Sequence, residues 1–250
     1  VVPLETGLSR WARNTDVELS RDRGIAIAEF APGAQVIARK KVFTSAGLYV
    51  VSQTDKPDRL WYAKCPDCQQ IRTSLTKEPL IAPCPVCQRS ITAQHIKPFV
   101  EPATFSVRYD PKGIGAERHR RNSLIRQRQS LTHFIDSVDE AGFQAKGLFH
   151  IALKEGGKLF RYNLGPKNKG FMLCRDCGCS EPMDGFKSGN MHKRLRPSQG
   201  TMDCSNPLPW GTNKGLAYGH QFESFCLIAR PDIINPPIES LAYALQKGLC

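Results

Sequence analysis

Among its 250 residues the chain has no apolar run approaching the roughly 18 to 20 that a membrane-spanning helix needs. Its N-terminus, VVPLETGLSR, lacks the charged-then-apolar order of a secretory signal. The expectation is a cytoplasmic protein with no membrane partner. No G-x-x-x-x-G-K-[ST] phosphate loop is present, so ATP hydrolysis by that machinery is excluded. No G-x-S-x-G elbow appears, and no histidine is spaced from a serine or cysteine to suggest a nucleophile and its base. There is no low-complexity tract and no repeat beyond a recurring C-x-x-C. These absences favour a binding or scaffold role over catalysis, with no small-molecule substrate.

Acidic residues are also in short supply, with 23 Asp and Glu against 35 Lys and Arg and a formal net charge of +12. Such an excess points to a polyanionic partner, of which nucleic acid is the commonest for a zinc protein; the plain alternative is a solvated basic surface. Lys112, Arg118, Arg120, Arg121, Arg126 and Arg128 stand against the single acid Glu117 within residues 112–128. They sit at the start of an amphipathic run in which Leu124, Ile125, Leu131, Phe134, Ile135 and Val138 recur at helical spacing. Cations at a helix start and Asp136, Asp139 and Glu140 at its end oppose the helix dipole at both termini. A sequence that tolerates this places its arginines for another purpose, and bidentate phosphate contact is the natural one. An arginine-rich loop that only solvates the surface, or docks on an acidic partner, is the competing reading.

The chain has 10 cysteines, and six form C-x-x-C pairs, the spacing of metal knuckles in a reducing compartment. Cys65, Cys68, Cys84 and Cys87 follow C-x2-C-x15-C-x2-C, which predicts one tetrahedral Zn2+ site in a zinc ribbon. A thioredoxin-like role needs one pair opening a helix, whereas both pairs here lie between strand-like segments. A zinc deaminase needs an H-x-E upstream, and no histidine precedes His95. Cys174 and Cys177 form a further knuckle with Gly178, and Cys204 is the obvious third ligand of a second Zn2+ site. The fourth is His192 or Cys179. His192 is favoured because Cys179 follows the knuckle too closely to point at the metal. Cys226 lies in an apolar stretch and reads as core.

The expected fold is α+β, a mixed or antiparallel sheet with few helices, stabilised by zinc. Residues 60–96 form an inserted ribbon with two apolar strands, each broken by a cysteine turn, within a domain of residues 1–59 and 97–250. Other expectations are a short buried helix or apolar segment over residues 19–31, and strands at 36–38 and 41–50, with Gly47 at a bend. A hairpin of strands 147–153 and 158–164 turns at Glu155-Gly156-Gly157; a long strand at 218–229 and a helix at 238–249 complete the reading.

Several segments resemble one family. RDRGIAIAEFAPG (21–33), with Val36 and TSAGL (44–48), resembles the E-[FY]-A-P-G opening of a zinc-binding domain. That domain closes mitomycin-repair-type (MrfA-like) bacterial helicases and occurs in the DISARM phage-defence protein DrmB. PFVEP (98–102), Asn163-Leu164-Gly165, Gly170-Phe171 before Cys174, GHQF (219–222) and LAYAL (241–245) match in order along nearly the whole chain. The chain departs from the family at Glu223-Ser224, where many relatives carry Thr-Asp. The resemblance implies a non-catalytic module beside a helicase or ATPase motor, in the same polypeptide or on a partner, working on DNA in repair or phage defence. It supports Cys174, Cys177 and Cys204 as ligands.

Overall fold

The computed structural model describes residues 1–5, 19–38, 41–50, 52, 56–108, 130–136, 142–146, 149–185, 192–198, 201–204 and 215–231. Among these the chain is mostly sheet with a single α-helix, the coarse form of the expected class. Contacts divide the chain into two units, Val1–Ile135 with Phe160–Gln221, and Asp136–Leu159 with Phe222–Cys250.

In the first unit, a five-stranded sheet runs β2(Leu19–Arg21), β1(Val2–Glu5), β8(Phe105–Val107), β4(Lys41–Leu48) and β3(Gln35–Ala38). The helix α1(Arg23–Glu29) starts where the Asp22 side chain accepts from the Gly24 backbone N–H at 2.9 Å. It stops at Phe30, just before Pro32 and Gly33 break the pattern. Its buried face, Gly24, Ala26 and Ile27, packs into a core with Val2, Leu4, Phe30, Phe43 and Phe105. A second sheet orders β11(Phe149–Asn163), β16(Ala217–Pro231), β7(Ile96–Val100), β5(Leu60–Lys64) and β6(Ile71–Ser74), with β9(Ser130–Phe134) also on β11; of the two long strands, Phe160–Asn163 and Ala217–Gln221 belong to the first unit. Its core is aromatic. Phe99 meets Phe160 edge-on at 4.7 Å between centroids, and Tyr62 lies 5.2 Å from Tyr162. The hairpins β12(Phe171–Leu173) with β13(Ser180–Pro182), and β14(His192–Ser198) with β15(Thr201–Cys204), complete this unit. In the second unit, β10(Gln144–Lys146) pairs antiparallel with the first part of β11.

Three expectations are corrected. The amphipathic run does not continue as a helix, since Ser130–Phe134 is strand β9. Thr132 and His133 suit a strand, a short apolar run fits both periods, and tertiary pairing decides: Arg161 Nε donates to Thr132 Oγ1 at 2.9 Å. Glu155-Gly156-Gly157 does not turn a hairpin. The strand β11 runs through it for 15 residues, with Gly156 in a left-handed conformation at φ +64°, and pairs with the equally long β16. The second half of the ribbon is not a strand either: Glu78–Leu80 is a 3-10 turn, and Pro79, Pro83 and Pro85 supply no ladder donors. The expected helix at 238–249 lies outside the described residues.

One buried side chain ties α1 to the aromatic sheet. Asn163, fully buried, donates through Nδ2 to the Ile27 carbonyl at 2.8 Å and accepts from the Gly165 N–H at 2.7 Å. The first bond satisfies a last-turn carbonyl that the helix leaves unpaired. Asn163→Ala should cost about 2–4 kcal/mol, because two buried backbone groups lose their partners at about 1–3 kcal/mol each. Urea denaturation checks it: the midpoint falls while the slope holds.

Candidate metal centres

Three knuckles share one backbone design. In each, the first cysteine N–H bonds the carbonyl five residues on: Cys65 to Gln70 at 2.9 Å, Cys84 to Arg89 at 2.8 Å and Cys174 to Cys179 at 2.8 Å. The residue four beyond that cysteine returns its N–H to the cysteine carbonyl and adopts positive φ: Gln69 at 63°, Gln88 at 59° and Gly178 at 74°. This turn points both sulfurs of a pair the same way. It is what C-x-x-C spacing is for.

In the first centre two knuckles face each other. Cys65 Sγ lies 3.5 Å from Cys87 Sγ, and Cys68 Sγ lies 3.4 Å from Cys84 Sγ. All four ligand atoms fall within 4.8 Å of one another. In the second centre the place of the opposing knuckle is taken by a hairpin. His192 on β14 and Cys204 on β15 sit directly opposite in the register. Their ligand atoms reach Cys177 Sγ, 3.1 Å from His192 Nε2, and Cys174 Sγ, 3.8 Å from Cys204 Sγ. The quartet takes His192 and not Cys179. Cys179 follows Gly178 into the sheet, where its sulfur accepts from Arg108 Nη2 at 3.7 Å.

Either quartet could hold a metal ion. A tetrahedron with metal–sulfur legs of about 2.3 Å has edges of about 3.8 Å, close to these sulfur separations. Metal binding requires thiolates, and one cysteine of each centre is shifted toward ionisation. In the second centre the hydrogen bond from the Cys177 thiol, aided by the Cys177 and Asp176 backbone N–H groups, holds Cys174 down to about 5 despite burial. The same bond and burial push Cys177 the other way. At Cys84 burial opposes ionisation, but the backbone N–H groups of Cys87 and Val86 prevail and lower it to about 7. Desolvation of its sulfur, together with the neighbouring thiols Cys84, Cys87 and Cys65, raises Cys68 to about 12 although the residue as a whole is exposed.

The two centres differ in depth. Cys68 and Cys87 are exposed, whereas every member of the second quartet is buried, Cys174 and Cys204 completely. The second also has the closer tie to the core. Gly47, at the bulge of β4, bridges to Cys179, and the Leu48 N–H donates to the Gly178 carbonyl at 2.8 Å. A buried relay supports it: Tyr218 hydroxyl to Ser180 Oγ at 2.8 Å, then Ser180 Oγ to the Met172 carbonyl at 2.6 Å.

Lys112, Arg118, Arg120, Arg121, Arg126 and Arg128, the expected nucleic-acid contacts, lie outside the described residues. Cys226 lies in β16, nearly buried and apart from both quartets. Sequence reasoning passed over Arg108 and the residues after each knuckle. For Gln69 and Gln88 the signal was available, because a knuckle places the residue after its second cysteine in a left-handed conformation. No protein-family model, curated protein or solved structure matches the chain.

Proposed function

We propose that the chain is a zinc-stabilised, non-catalytic accessory module of a DNA helicase system, binding DNA, its motor or both, in phage defence or DNA repair. The observation that carries this reading is the pair of four-ligand clusters: each has enough Cys and His groups to fill all four positions of a tetrahedral ion, as structural zinc sites do. The net charge of +12 supports a nucleic-acid partner, and the ordered resemblance to helicase-associated zinc domains supports the setting. Zinc fixes the turns. The arginine-rich segment at 112–128 then meets the phosphate backbone, while a separate motor consumes ATP.

The test joins metal content to salt dependence. The purified chain should contain two zinc ions by elemental analysis and bind DNA with an affinity that falls on the order of a thousandfold between 50 and 200 mM salt. Reversing charge at Arg118, Arg120 and Arg121 should flatten that slope. Tight binding indifferent to both salt and charge reversal would refute the surface. A scaffold docking an acidic partner protein is the second reading. Its basic face would meet that partner with no direct DNA contact, and the net charge of +12 supports it as well.

A further inference from the structure

Beside the first metal centre the second sheet carries a cleft of about 340 Å3, within the size range of small-ligand sites. Strand register builds it. Tyr62 and Lys64, two apart on β5, share one face of the strand, and Lys97 on β7 sits directly opposite Tyr62. His95 and Tyr162 add further polar groups, and among the described residues no acidic side chain lines the space.

The two phenols decide what the cleft wants. Each tyrosine is 2% exposed, and its hydroxyl, which has no hydrogen-bond partner among the described residues, opens on the cleft. Tyr162 stacks on Phe160 at 5.2 Å and on His133 at 5.6 Å, which engages its ring and leaves the hydroxyl edge for the cleft. Burial raises both phenols above their ordinary range, so both remain neutral donors. Each hydroxyl, opening on the cleft, is a donor that a ligand or water there can meet. Lys64 forms no ion pair among the described residues. Two ammonium groups and two phenolic hydroxyls, with no carboxylate, fit an anion with several acceptor oxygens. Leu131, Leu164 and Pro66 give the cleft an apolar wall, and the Gln94 and Asn168 side chains carry amides suited to a heterocycle edge.

We propose that this cleft binds one phosphorylated nucleotide unit, its phosphate between Lys64, Lys97 and the Tyr62 and Tyr162 hydroxyls, and its base against Leu131 and Leu164. The nucleotide arrives free or within a single strand. It is a ligand that the expectation of no small-molecule partner left out. The choice of a nucleotide rests on the nucleic-acid reading above, but its test is separate, because the cleft does not include residues 112–128.

The experiment is an NMR titration of the metal-loaded chain with thymidine 5′-monophosphate, thymidine, inorganic phosphate and a ten-residue oligothymidylate. Saturable shifts centred on the amides of Lys64 and Lys97 are expected, with a dissociation constant of about 1 mM or tighter for the monophosphate or the oligomer. Binding of both, or of the oligomer alone, supports the proposal and identifies the source. Tyr62→Phe with Tyr162→Phe keeps the packing and removes only the donors; this pair, and separately Lys64→Gln with Lys97→Gln, should each weaken binding about tenfold or more. Phosphate binding as tightly as the monophosphate would overturn the nucleotide, and so would thymidine doing so. No saturation at about 10 mM of any probe, or unchanged affinity in the folded variants, would overturn the site. A monophosphate that binds here while DNA affinity ignores salt would leave the cleft standing and sink the wider reading.

Discussion

Cys174→Ser should abolish the cooperative unfolding transition of the first unit, whereas Cys68→Ser should leave that transition in place and open only the ribbon. The difference follows from where each sulfur sits. A structural zinc contributes on the order of 10 kcal/mol to the fold that encloses it, as much as the whole net stability of a typical domain. Cys174 is fully buried among Met172, Cys179, Leu195 and Cys204, and that cluster is joined to β4 through the Gly47–Cys179 bridge. Loss of the proposed metal leaves thiols and an imidazole in apolar surroundings. His192 Nδ1 already has no partner among the described residues. The first centre packs instead on Ala63, Leu80, Ile91 and Ile96, with Cys68 and Cys87 facing solvent. Its loss exposes a small satellite core. A chelator should therefore strip the first centre before the second, and hydrogen exchange should report residues 60–96 opening while β4 and β12 stay protected. If Cys174→Ser melts within a few degrees of the parent, the second centre is not what holds this unit together.

How much of this was visible in the sequence depends on the range of the forces involved. The knuckles are local, closed by bonds from each cysteine to the next few residues, so spacing alone located Cys65, Cys68, Cys84, Cys87, Cys174 and Cys177. Preferring His192 over Cys179 needed one more local fact, that Cys179 leaves the turn on the far side. The strand β9 was illegible for the opposite reason. Leu131 and Phe134 fit either period, and what selects the strand is β11, distant in sequence. Gly156-Gly157 reads as a turn until the 15-residue β16 is known to lie alongside β11. The cleft was hidden similarly, since Tyr62 and Lys97 meet only through pairing of β5 with β7.

The segments behind the family resemblance acquire physical reasons. Phe30 and Ala31 of E-F-A-P-G are wholly buried, and Gly33, at φ +88°, donates its N–H to the Ser45 carbonyl at 2.7 Å. Asn163-Leu164-Gly165 carries the bond to α1, and Gly165 leaves room for the Phe171 ring, 2.9 Å from where a Cβ would stand. These residues hold backbone in place. They bear on the fold of this chain, while function must be argued from the metal centres, the basic segment and the cleft.

The same reasoning makes Gly178→Ala one of the most damaging changes outside the ligands. Three glycine and glutamine positions separate the contributions. At Gly156, φ is +64° and a Cβ would meet nothing nearer than Glu223 Oε2 at 3.8 Å, so Gly156→Ala should cost only the left-handed penalty of about 1–2 kcal/mol. At Gln88 the left-handed conformation is already borne by a side chain, at φ 59°, and Gln88→Gly should be neutral or stabilising by up to about 1 kcal/mol. At Gly178, φ is +74° and a Cβ would stand 1.9 Å from the Leu48 carbonyl oxygen. That oxygen is backbone in a core strand and cannot swing away, so the knuckle and β4 must separate, taking the Leu48 to Gly178 hydrogen bond with them. The expected loss is about 4 kcal/mol or more, with the second centre releasing its metal at lower chelator concentration than the parent. Denaturant melts of the three variants give the order directly. A Gly178→Ala protein no less stable than Gly156→Ala would mean that β4 does not support the second centre.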